Sequence, residues 1–206
     1  MQDHWNLGRI GGLPVTMHWT VLLAFPWLYL WTQDLLSAVI GTFAFIALML
    51  VHEFGHVLAA RWRKISVYAI NLSGMHGETA RAHGRTEKDD VIVAWGGVAA
   101  QLLLLAATFA LIPALELVPS RLFWTIAAPI VMVWTRWNVF LMLVALLPIG
   151  PMDGHAAWRV LPLLRNSFRR RRTSGKVVKI TAARRRELTE SSEKKAAEIL
   201  ERFKKK

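Results

Sequence analysis

Residues 52 to 56 of this chain read His52-Glu53-Phe54-Gly55-His56. If the segment is helical, His52 and His56 lie at i and i+4, on one face and about 6 Å apart along the axis. Two imidazoles so placed can hold one metal ion, and zinc is the usual occupant of this pattern. Glu53 then stands where a carboxylate can accept a proton from a metal-bound water. With 7 histidines and 9 glutamates in 206 residues, random order gives roughly 0.01 expected matches. The plainer alternative is a pair of buried histidines satisfied by hydrogen bonds. The surroundings weigh against it: Leu35 to Ala60 is otherwise almost wholly apolar, and ionisable groups inside such a run are costly and mark function.

A second acid sits in a segment of unusual backbone, Pro148-Ile149-Gly150-Pro151-Met152-Asp153-Gly154. Its prolines and glycines preclude a continuous helix. Irregular backbone at membrane depth is tolerated only where protein or a wet cavity covers it. Asp153 therefore belongs to a covered, broken segment after an apolar stretch.

The elements that must position these groups follow from composition. The chain is 54% hydrophobic with ten tryptophans and no cysteine, so any zinc site uses nitrogen and oxygen donors. Apolar runs near twenty residues suffice to cross a hydrocarbon core of about 30 Å. This implies an all-α polytopic membrane protein with about four transmembrane helices: Leu13–Trp31, Leu35–Ala60, Val91–Pro113 and a span within Leu122–Leu147. The last stretch would extend about 39 Å as helix, with Arg136 inside it. Either it is one long tilted helix, or the spanning part begins near Trp134 and Leu122–Val133 is an extra, partly embedded piece. The second reading costs less, because an interfacial Arg beside Trp is cheaper than a central one. Ile65 to Arg81 reads as a short β-hairpin or re-entrant loop on the cytoplasmic side. Its strand Ile65–Ile70 is a candidate acceptor for an extended peptide. His18, His76 and His83 read as interfacial or loop residues rather than ligands.

The formal charge is +12, all of it in the C-terminal segment: Arg159–Lys206 holds 17 Lys/Arg against 5 Asp/Glu. Such a segment is a topology signal and can attract anionic lipid head groups. It lacks the interleaved aromatics of a nucleic-acid surface, so no nucleic acid is expected. The expected division is a membrane core at 1–164 and a basic cytoplasmic tail at 165–206, partly helical or disordered, with an amphipathic pattern at Ala196, Ile199, Leu200 and Phe203. Four spans place both termini and Arg61-Trp62-Arg63-Lys64 on the cytoplasmic face of a cell membrane, bringing His56 and Asp153 toward one metal.

His52-Glu53-Phe54-Gly55-His56 in a membrane helix, followed a hundred residues later by Pro148-x-x-Pro151-Met152-Asp153-Gly154, resembles the site-2 proteases, zinc metalloproteases that cut within the membrane. Gly8-Arg9-Ile10-Gly11-Gly12-Leu13-Pro14 with His18-Trp19 resembles their compact bacterial branch typified by the sporulation factor protease. The resemblance covers roughly Asn6 to Leu164. It implies His52, His56 and Asp153 as ligands of one Zn²⁺, Glu53 as catalytic acid/base, and a membrane-protein substrate with a transmembrane helix. There are departures. Ala145 stands where the family commonly has Asn, Gly97 is followed by Val98 instead of Pro, Gln101 takes a place often held by Asn, and His155 replaces a second Gly. Asn138 is a candidate oxyanion or substrate contact, with an interhelical hydrogen bond as its alternative role. The rival function is a proteolytically inactive scaffold that binds membrane proteins.

Overall fold

A computed structural model describes residues 4–74, 76–149, 152–165, 184–187 and 189–198. The chain divides into two compact units, Met1–Val160 and Leu161–Lys206. In the second, the described residues are helical at 161–165, 184–187 and 189–198. Of the expected amphipathic positions, Ile199, Leu200 and Phe203 lie outside the described residues, as do Gly150 and Pro151 of the broken segment.

The first unit opens with a hairpin. Strand β1 (His4–Ile10) pairs antiparallel with β2 (Leu13–His18). The two-residue loop, Gly11-Gly12, has positive φ at both positions, which a tight turn matched to strand twist requires and glycine supplies. In β2 the alternation of Leu13, Val15 and Met17 with Pro14, Thr16 and His18 buries one face and leaves the other half-exposed. The expected first span is thus shared between this strand, a 3₁₀ turn (Trp19–Leu23) and helix α1 (Ala24–Thr32). The apolar helix Trp19–Thr32 is shorter than the three spans described next.

Among the described residues, three helical runs are long and apolar enough to cross a membrane: α2 (Leu35–Trp62), α3 (Glu87–Glu116) and the run Arg121–Ala145. Helix α2 starts at Asp34, whose carboxylate accepts from the Ser37 N–H at 2.7 Å. Ser37 hydrogen-bonds this carboxylate through its side chain and its backbone and so lowers the Asp34 pKa. Helix α3 starts at a reciprocal Thr86–Asp89 capping box, which satisfies donors a helix start leaves open. Two ion pairs hold this helix start, Arg63 with Asp89 and Arg81 with Asp90. Between α2 and α3 come β3 (Val67–Ser73) and β4 (His76–Arg81), the expected hairpin. It does not stand alone: β2 pairs parallel with β3, giving one sheet in the order β1-β2-β3-β4. Leu13, Val15 and Met17 of β2 with Ile70 and Leu72 of β3 pack on Phe45, Leu48, Met49 and Val57 of α2.

Arg121–Ala145 is continuous, as in the first of the two readings of that stretch. It comprises α4 (Arg121–Met132), a π-helical turn (Val133–Trp137) and α5 (Asn138–Ala145). The π turn takes up an extra residue without ending the helix, so Arg136 lies within the run. A short helix α6 (Asp153–Ala157) follows the broken segment. Trp95 Nε1 donates to Ala157 O at 3.2 Å and Trp158 Nε1 to Leu146 O at 2.7 Å. Large apolar side chains on the spans, among them Phe43, Leu103, Phe109 and Leu143, are exposed, as a lipid-facing surface requires.

Helices α2 and α3 cross at backbone contact. A Cβ on Gly55 would collide with the Gly96 carbonyl oxygen, and one on Gly96 with the Gly55 carbonyl. Gly55→Val is therefore expected to destabilise the fold by about 1–3 kcal/mol. A lower thermal midpoint by circular dichroism in detergent would show it, and an unchanged midpoint would contradict so close a crossing.

Candidate metal centre

The spacing of His52 and His56 on α2 places both rings on one face, with centroids 4.6 Å apart and nearly perpendicular. Asp153, at the start of α6, meets them: its Oδ2 is 2.9 Å from His52 Nε2 and 3.0 Å from His56 Nε2, and the two Nε2 atoms are 3.0 Å apart. The fit to a cation rests on the opposite ring nitrogens. His56 Nδ1 lies 2.7 Å from the Val93 carbonyl oxygen, and His52 Nδ1 3.0 Å from Gln101 Oε1. Both partners are acceptors, so each Nδ1 carries its ring's proton and donates it. Each Nε2 then presents a lone pair to the other and to a carboxylate oxygen. Three electron-rich atoms held this close repel one another unless a cation lies among them. A tetrahedral ion with bonds of about 2.0 Å sets its ligands about 3.3 Å apart, near the spacing here. An all-nitrogen-and-oxygen set of this kind suits zinc. His52, His56 and Asp153 can thus hold one metal ion.

Neighbouring elements complete the site. Gly97 of α3 lies where any Cβ would meet His52 Cε1 and His56 Nε2, at 2.6 Å each, so only glycine admits the imidazole pair. Glu53 is 1% exposed. Its Oε2 accepts from the Thr79 hydroxyl of β4 at 2.6 Å, and its side chain lies against Gly77, where a Cβ would overlap it. Beside these groups is a cavity of about 50 Å³, bordered also by Leu141, Ala145 and Met152. At about 10–15 Å³ per water, it admits roughly three to five waters.

The structure brings together His52, Glu53, His56 and Asp153. Asn138 stands elsewhere. It is fully buried, its amide nitrogen donates to Gln101 O at 3.0 Å and Trp134 O at 3.2 Å, and its Oδ1 has no partner among the described residues. It does not border the cavity and ties α3 to the π turn. Two contributors escaped the reading of the sequence. Gln101 stands in the sequence at a place the family often gives to Asn, but with no role toward His52. Thr79 has no local signal, because its contact exists only once β4 folds over α2.

This arrangement is a His-His-Asp set that could hold a metal ion, placed under a small sheet and among helices long and apolar enough to cross a membrane. A solved structure of the site-2 protease from Methanocaldococcus jannaschii has the same fold, with a TM-score of 0.55 and 18% identity, over 77% of this chain and 71% of that one. In sequence, the chain is 31% identical over 175 residues to Rip3 of Mycobacterium tuberculosis, in two strains, a protein whose name describes it as a candidate zinc metalloprotease. The match takes in 75% of this chain and 42% of Rip3, so the chain spans about two fifths of the relative's length. No protein-family model matches the chain.

Replacing Gln101 with Leu removes the acceptor that fixes the His52 tautomer, and is expected to weaken zinc binding about 10- to 100-fold in a chelator competition. Gln101→Glu, which keeps an acceptor oxygen, should retain the metal. Equal affinity in Gln101→Leu would show that the tautomer is set in some other way.

Proposed function

We propose that the chain is a zinc-dependent intramembrane endopeptidase that cleaves the transmembrane segment of other membrane proteins. The observation that carries this reading is the convergence of His52 Nε2, His56 Nε2 and Asp153 Oδ2 on one point beside the buried Glu53. The two comparisons support it. The site would lie in a cell membrane, with Arg61-Trp62-Arg63-Lys64 and the basic C-terminal segment on the cytoplasmic face.

A zinc ion held by the three residues would supply Lewis acidity, lowering the pKa of a water to about 7 and polarising the scissile carbonyl. Glu53 does the proton work. The Thr79 hydroxyl fixes one carboxylate oxygen, and the carboxylate takes a proton from the attacking water and returns it to the leaving amine. The Asn138 amide donors are engaged by backbone carbonyls. Gln101, which borders the cavity and whose oxygen serves His52, is the better placed donor for the developing oxyanion.

A substrate helix must unwind before its carbonyl is accessible. The strand first considered as its acceptor, within Ile65–Ile70, is interior, since β3 pairs on both sides. The edge strands are β1 and β4, and of these β4 touches Glu53, through Gly77 and Thr79. An extended peptide added to that edge would be delivered to the general base.

Glu53→Gln should retain zinc and lose cleavage of a co-reconstituted membrane substrate by about 10²- to 10⁴-fold. Full cleavage by this variant would remove Glu53 as the general base, and substrate binding without cleavage in the wild type would overturn the protease reading in favour of a scaffold. Thr79→Val should lower kcat about tenfold with zinc unchanged, with Thr79→Ser close to wild type. Gln101→Glu should keep zinc and lose turnover; unchanged turnover would remove Gln101 as the oxyanion donor.

A further inference from the structure

The cavity beside Glu53 has a larger neighbour. A pocket of about 670 Å³ adjoins it, within the span of about 300–1,000 Å³ usual for ligand sites, and Leu141 borders both. Three elements carry the two spaces in the same order. On α2, Phe45 borders the pocket, and Met49, His52 and Glu53 the cavity. On α5, Phe140 borders the pocket, and Val144 and Ala145 the cavity. In the β3–β4 hairpin, Ser73 and Gly74 border the pocket, and Gly77 the cavity. Phe45 is about 12 Å along α2 from Glu53 at helical rise, the reach of roughly three or four residues of extended chain.

The pocket is apolar except at one end. Its wall is aromatic: Trp27 meets Trp137 edge-on at 6.0 Å, and Trp137 meets Phe140 at 5.7 Å. Its polar groups are His18, Thr20 and Ser73, gathered where β2 and β3 end. Among the described residues no Lys, Arg, Asp or Glu borders it. The Thr20 hydroxyl accepts from the Gly74 N–H at 2.9 Å, so it donates its own proton to His18 Nδ1, 2.7 Å away. The Thr20 N–H donates to the same nitrogen at 3.3 Å. Nδ1 is thus an acceptor, and the neutral ring carries its proton on Nε2. That N–H has no partner among the described residues.

This end selects the occupant. Phe45 is about 15 Å along α2 from Leu35 and about 26 Å from Trp62, so the pocket lies at mid-span, away from lipid head groups. A lipid chain at that depth would fill the apolar part and offer the His18 N–H nothing. A partly unwound peptide supplies both apolar side chains and backbone carbonyls that have lost their helical donors.

We propose that this pocket is a substrate subsite. It takes large apolar side chains of the membrane segment about three or four residues from the scissile bond, on the side running toward the Leu35 end of α2, and His18 Nε2 donates to a backbone carbonyl freed there. The subsite rests on the protease reading of the neighbouring cavity.

The probe is a synthetic Lys-flanked, Leu-rich transmembrane peptide with a central Gly-Pro pair that eases unwinding. Its affinity for the zinc-loaded, full-length chain in detergent is read by fluorescence anisotropy, and its cleavage separately by mass spectrometry. Wild type is expected to bind it about tenfold more tightly than a second peptide with Ala at the positions three to five residues from the Gly-Pro pair. In Ala24→Phe, which fills the pocket, the two peptides should bind alike. His18→Asn keeps an acceptor for the Thr20 N–H and loses the Nε2 donor, so it should weaken the Leu-rich peptide about three- to tenfold. His18→Gln, which returns a donor near Nε2, should recover that loss. Equal binding of the two peptides by wild type, or an undiminished preference in Ala24→Phe, overturns the subsite. Unchanged affinity in His18→Asn removes the carbonyl contact and overturns the proposal as stated. Cleavage without the preference contradicts the subsite alone, whereas a peptide bound with the preference and left intact contradicts the protease reading and with it the substrate as occupant.

Discussion

Three atoms bearing lone pairs, two imidazole nitrogens and a carboxylate oxygen, lie about 3 Å apart inside an apolar scaffold. Without a cation this is a repulsive arrangement in a medium that screens charge poorly. Much of the surrounding architecture serves to hold it. Gly55 and Gly96 let α2 and α3 meet at backbone distance, which brings the Val93 carbonyl and Gln101 to the outer ring nitrogens. Gly97 leaves room for the rings themselves. The broken segment after α5 sets the start of α6, and with it Asp153, against α2; Trp95 and Trp158 tether that helix to its neighbours by indole hydrogen bonds.

The sheet bears on the same centre from the other side. Strands β2 and β3 are anchored by apolar packing on α2, which leaves β4 as the edge nearest Glu53. Thr79 and Gly77 then make the position of Glu53 a property of the hairpin as well as of the helix. Peptide recognition and proton transfer would share one strand in the proposed mechanism.

The candidate metal ligands stand out in the sequence because their signals are local. An i, i+4 pair of histidines on a helix needs no tertiary information, and the prolines and glycines around Asp153 announce a broken segment. Gln101 and Thr79 could not be assigned roles, since each acts through a partner about 26 or 49 residues away. The N-terminal strand carried its own signal, the alternation of Leu13 to His18 after a Gly-Gly turn. It was masked by its fusion to the apolar Trp19–Thr32, and the sheet depends on a parallel pairing between Thr16 and Asn71 that no local pattern encodes. Arg136 suggested a break in the last span because a charge usually ends one. The π turn accommodates it inside a continuous helix.

The central claim is that His52, His56 and Asp153 bind one zinc ion together. The most direct measurement is zinc content with zinc-edge X-ray absorption on the detergent-purified chain, beside Asp153→Ala. The account predicts about one zinc per chain in a shell of nitrogen and oxygen donors near 2.0 Å, lost or much weakened in the variant. Wild-type protein without zinc, or zinc bound unchanged after Asp153 is removed, would contradict it.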